Sequence, residues 1–104
     1  MSKFLFTYHG GSKPESDAQM AEVMQAWQSW FVSMGDDVID GGNPVGMSIT
    51  VNSDGSAENN GGANPVSGYS LINASNEQDA IDKARGCPIL GAGGSVEIAP
   101  AIEM

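Results

Sequence analysis

Twice along this chain, a run of residues with a two-residue apolar period gives way, across a Ser-x-x-Gln spacing, to apolar residues three and four positions apart. A strand turns alternate side chains to opposite faces, whereas a helix brings a face round about every 3.6 residues, so each switch marks a strand followed by a helix. In the first switch Phe4, Phe6 and Tyr8 alternate with Leu5 and Thr7, and Gly10-Gly11-Ser12-Lys13-Pro14 breaks the run. Ser16 and Gln19 then have the spacing of a capping box. Met20, Val23, Met24, Trp27, Phe31 and Met34 form the apolar stripe of a helix of about five turns, and Gly35 is placed to end it as a left-handed cap. In the second switch Gly68–Ile72 reads as a strand with Tyr69 and Leu71 on one face. Ser75 and Gln78 repeat the box, and Ala80, Ile81 and Ala84 make a shorter helix closed by Gly86 and Pro88.

Between these units Val38-Ile39 is a brief apolar step before the turn Gly41-Gly42-Asn43-Pro44. Met47, Ile49 and Val51 alternating with Ser48, Thr50 and Asn52 make the clearer second strand, and Gly94–Ile98 the last. The segment from Asn52 to Asn64 reads as a polar loop. This order predicts one α+β domain over residues 1–104: a ferredoxin-like βαββαβ sandwich, an antiparallel sheet with two helices on one face. The uncovered face, carrying Leu5 and Ile72 among Thr7, Ser48, Thr50 and Ser70, predicts a homodimer packed sheet to sheet.

Four Lys and Arg stand against thirteen Asp and Glu, a net charge of −9. With no basic cluster to neutralise phosphates, nucleic acid is excluded as a partner. No apolar run approaches the roughly 20 residues that span a bilayer, so no membrane association is expected. The amino terminus enters a strand without the apolar stretch of a signal peptide, which predicts a cytoplasmic protein. The single cysteine, Cys87, cannot close an intrachain disulfide or build a thiolate metal centre. Gly41–Pro44 and Gly91–Gly94 lack the strand-to-helix setting that cradles phosphate, so no cofactor is expected.

His9 is the sole histidine, and its side chain is suited to general acid–base work near neutral pH. Asp40, in a glycine-flanked turn, could orient its ring, making His9 and Asp40 the candidate catalytic pair. Asn43 and Tyr69 could supply directional hydrogen bonds to a small-molecule ligand. The plain alternatives are a hydrated strand-end histidine, a turn amide and a sheet aromatic. Asp36, Asp37 and Asp40 lack the regular spacing of a calcium loop and read as a solvated cluster, with no metal expected. Cys87, after a helix end, is poorly placed to be a nucleophile. Trp27, Trp30 and Phe31 read as core, or as dimer contact for Trp30.

The segments Phe4-Leu5-Phe6-Thr7-Tyr8-His9-Gly10, Met20 to Trp27, Asp40 to Pro44, Gly68-Tyr69-Ser70, Cys87-Pro88 and Gly94 to Ile98, in that order, resemble the YCII-related family. The resemblance implies a dimeric α/β barrel of ferredoxin-like subunits, with a polar cleft holding a His and an acidic residue. The functional expectation is a protein that binds a small molecule near His9 of a homodimer, with a weak or unidentified enzymatic activity. The alternative is a non-catalytic accessory or protein-interaction module that uses the acidic surface and the Asn52–Asn64 loop.

Overall fold

The computed structural model describes residues 1–59, 62 and 64–103. The chain runs β1 (Ser2–His9), α1 (Asp17–Met34), a 3-10 turn (Gly35–Asp37), β2 (Val38–Asp40), β3 (Thr50–Val51), β4 (Ala57–Glu58), β5 (Val66–Ala74), α2 (Glu77–Ala84), a second 3-10 turn (Pro88–Leu90) and β6 (Ser95–Pro100). The main sheet has four strands in the order β2-β5-β1-β6, each antiparallel to its neighbours. A separate two-stranded ribbon joins β3 to β4.

Local chemistry accounts for the helix limits. The Ser16 hydroxyl accepts the Gln19 N–H at 3.2 Å, while the Gln19 side-chain carbonyl accepts the N–H of Glu15 at 2.8 Å, so orphan donors are met from both sides. Gly35, at φ 57°, returns its N–H to Phe31 and Val32 and stops α1. The second helix starts one residue later than the Ser75 spacing predicts. Asn76 caps it by accepting the Asp79 N–H at 2.8 Å, and the Asp79 carboxylate accepts the Ser75 N–H at 2.9 Å. Asn serves as well as Ser at an N-cap, so the adjacent residue with an acidic partner three positions on takes the role.

The core lies between the sheet and the helices. Phe4, Phe6 and Tyr8 of β1 and Ser70, Ile72 and Ala74 of β5 are buried on one face with Trp30, Ala80, Ala84, Cys87 and Ile89. Trp30 is the buried residue of α1 and lies in this core, where its indole N–H donates to the Lys83 carbonyl at 2.9 Å and ties α1 to α2. Phe6 stacks on it with ring centroids 6.4 Å apart.

Three expectations are corrected. The strand expected at Met47–Val51 does not enter the main sheet; its last two residues pair in the ribbon, and the place beside β5 goes to the three residues of β2. Beyond Asp40 the chain touches β5 once more, at the Pro44–Gly68 bridge, then leaves. The fold is therefore a mixed α+β arrangement of two open sheets and not the predicted ferredoxin-like βαββαβ sandwich, and neither sheet closes into a barrel. The dimeric barrel goes with it.

The ribbon, with the segment that leads into it, inverts the usual polarity of a strand. Val45, Met47, Ile49 and Val51 are 41, 86, 64 and 69% exposed, while Ser48, Thr50 and Asn52 are half-buried. Its tip is a turn in which the Asp54 carboxylate accepts both the N–H and the hydroxyl of Ser56, and these bonds hold its pKa below the ordinary carboxylate value. Residues 60, 61 and 63 of the expected Asn52–Asn64 loop lie outside the described residues. No helix is long and apolar enough to cross a membrane among the described residues.

Candidate functional site

The apolar stripe of α1 is longer than the sheet beneath it. Trp27, Phe31 and Met34 are half-buried against the core, but Met20, Val23 and Met24 remain exposed. Under this overhang lies a groove of about 900 Å³, walled by Ala21, Met24, Trp27, Gln28, Phe31 and Val32 of α1, by Gly41–Pro44, and by Tyr8 and Ser67–Tyr69 of the sheet. Aromatic contacts hold the wall: Tyr8 meets Trp27 edge to face at 4.9 Å between centroids, and Phe31 lies 5.1 Å from Trp30 with the rings tilted at 40°.

A relay of hydroxyls fixes the groove's floor. The Tyr8 O–H donates to Ser70 Oγ at 2.7 Å, and Ser70 donates in turn to the Gly41 carbonyl at 2.6 Å. Burial pushes the Tyr8 phenol well above its ordinary pKa, so it remains a donor across physiological pH. The turn itself is held by the Asp40 carboxylate, which accepts the Gly42 N–H at 2.8 Å. Gly42 has φ +71°, and a Cβ there would fall 1.7 Å from the Tyr69 carbonyl oxygen. Across the gap Val45 N–H donates to the Ser67 carbonyl at 3.0 Å, and Tyr69 N–H to the Asn43 carbonyl at 3.3 Å. Ser67 Oγ is buried with no hydrogen-bond partner among the described residues, an uncommon state for a native hydroxyl beside a groove.

The structure brings Asn43 and Tyr69 to this one groove; Asp40 does not line it but holds the lining residue Gly42. It puts His9 elsewhere. His9 keeps the alternation of β1, in unbroken register with β6, so it lies on the face opposite Tyr8, where it is buried; the register shift at this end falls on β5, at Ser67. Its Nδ1 lies 2.9 Å from the Asn64 carbonyl and 3.2 Å from that of Pro65, while Nε2 lies 2.8 Å from a Glu97 carboxylate oxygen. Carbonyls only accept, so Nδ1 carries a proton. At Nε2 the ring either donates as the imidazolium or accepts from a protonated Glu97. Both ring nitrogens thus hold protein groups, joining the ends of β1, β5 and β6.

Two features escape a reading of the sequence. Glu97 meets His9 only because β6 pairs with β1, a contact across 88 positions of chain that no local spacing reveals. The groove residues Met24, Trp27 and Phe31 carry a signal that reads as core, and only the excess of apolar positions over the sheet available to cover them hints otherwise. Burial pushes the Cys87 thiol up to about 11, which suits an inert core residue. No protein-family model, curated protein or solved structure matches the chain, so the YCII-related resemblance is withdrawn.

Proposed function

We propose that this protein binds a small, largely apolar molecule in the groove between α1, the Gly41–Pro44 turn and β5. The observation that carries the reading is the groove's lining: aromatic and aliphatic walls with a few polar groups, Asn43, Tyr69 and the unpartnered Ser67 hydroxyl, arranged around a volume that suits a small ligand. Asn43 and Tyr69 fix the ligand's orientation, and the Tyr8–Ser70–Gly41 relay holds the turn still. His9 acts apart from the ligand, clasping Glu97 and the 64–65 segment.

The test is titration with the neutral fluorophore N-phenyl-1-naphthylamine, read by its emission and by quenching of tryptophan. Saturable uptake of one molecule per chain is expected. Ala21→Trp, at an exposed position of α1 that lines the groove, fills the space and is expected to abolish uptake while the far-UV circular dichroism is unchanged. Absence of saturable uptake by the native chain, or uptake unchanged by Ala21→Trp, refutes the proposal.

One observation favours a second reading, an accessory module that meets another protein: the exposed row Val45, Met47, Ile49 and Val51 along the segment that leads into the ribbon. Under that reading Met47→Ser with Ile49→Ser abolishes a specific association and leaves fluorophore uptake intact.

A further inference from the structure

We infer that the molecule held in the groove is a cationic amphiphile: an apolar body carrying a single quaternary or protonated ammonium group. This rests on the binding reading above and adds the ligand's charge to it.

The argument is one of complementarity. Among the described residues none that lines the groove is charged. Its surroundings are not neutral. The stretch from Pro14 to Asp82, which supplies every lining residue except Tyr8 and Ile89, contains no Lys or Arg and every acidic residue of the chain apart from Glu97 and Glu103. Of the four cations in the sequence, Lys83 is held by Asp79 at 2.7 Å and Asp37 at 3.5 Å, and Arg85 by Asp82 at 3.0 Å. Lys13 lines a different hollow, on the other flank of α1, and Lys3 pairs across to Asn73 at the far end of β1. An anionic head, such as a carboxylate or a phosphate, would therefore enter a negative field with no cation to receive it.

A positive head finds the opposite. The summed charge of −9 draws cations toward a cleft with low-dielectric walls. The half-buried rings of Trp27, Phe31 and Tyr69 line the groove, and an alkylammonium is attracted to the negative face of such a ring. The carboxylate nearest in sequence to the lining is that of Asp40, one of whose oxygens accepts the N–H of the lining residue Gly42.

Three probes of one chain length, kept below their critical micelle concentrations, separate the outcomes: decyltrimethylammonium, decyl maltoside and decyl sulfate. At about 10 mM ionic strength, where the Debye length is about 30 Å, the cation is expected to bind one per chain and at least tenfold more tightly than the neutral probe. The sulfate is expected not to bind. At about 150 mM, where the Debye length falls to about 8 Å, the advantage is expected to shrink at least threefold. Asp40→Asn keeps a side-chain oxygen for the Gly42 N–H and removes the charge, so it is expected to weaken the cation about threefold and leave the neutral probe unchanged. Equal binding of the cationic and neutral probes overturns the charge inference and leaves the groove reading standing. Failure of every probe to saturate overturns both. Cation binding at several sites, unchanged by Ala21→Trp, reduces the effect to surface ion pairing and also overturns the inference.

Discussion

Gly42 holds the groove's turn in a conformation that only glycine adopts without strain, against a carbonyl too close to admit a side chain. Gly42→Ala is expected to destabilise the protein by more than about 1 kcal/mol, because strain and steric overlap act together. A urea titration checks this, and loss of fluorophore uptake should accompany it. A second residue-scale prediction concerns alkali. Burial raises the Cys87 thiol to about 11, so the unfolded chain releases its proton first, near pH 8.5. The stabilisation from the neutral buried thiol is therefore complete below about pH 8.5 and is lost as pH rises through 11. The urea midpoint of the native chain should fall across that window, and Cys87→Ala should flatten the fall between about pH 8.5 and 10; above about pH 10 Tyr8, shifted the same way, adds to it. Both residues stood out as a turn glycine and an inert thiol in the sequence alone. What it hid was Glu97 facing His9, since a cross-strand partner is set by register and not by neighbours.

The elements differ in how plainly their chemistry is written. Both helices have caps within three or four residues of the groups they satisfy, so their starts were legible to within a residue. Ser16→Ala and Asn76→Ala should each cost about 1 kcal/mol by thermal or urea unfolding. The strands were legible as strands, but not as members of a particular sheet. Met47, Ile49 and Val51 alternate more cleanly than Val38-Ile39-Asp40, yet the shorter run completes the main sheet. Alternation records only that two faces differ, and membership is decided by where the Gly41–Pro44 turn sends the chain. The apolar stripe of α1 misleads in the same way, marking as core several residues that roof the groove. Trp30, outside that stripe, is the residue of α1 that is buried, and it is bonded to the Lys83 carbonyl. Trp30→Phe, which keeps a ring and deletes the donor, should cost about 0.5–1.5 kcal/mol by urea unfolding, because the carbonyl keeps the Gly86 N–H when the indole bond is lost.

Across the whole molecule the main sheet and the ribbon are separate hydrogen-bonded systems. Replacing residues 47–57 with a short Gly-Ser linker should therefore leave the melting temperature within a few degrees of the native value, whereas Phe6→Ala in the core should lower stability by about 3–5 kcal/mol. Against a typical total of about 5–15 kcal/mol the core change threatens folding altogether. The main sheet also carries an instruction about time. Its inner strands are β1, made early, and β5, and the outer partner of β1 is β6, made last. At the ribosome, with synthesis at roughly 5–20 residues per second, Phe4, Phe6 and Tyr8 emerge several seconds before either neighbouring strand exists. A nascent chain of this protein must keep an aromatic strand, with Lys3 its one lysine, unpaired for that interval.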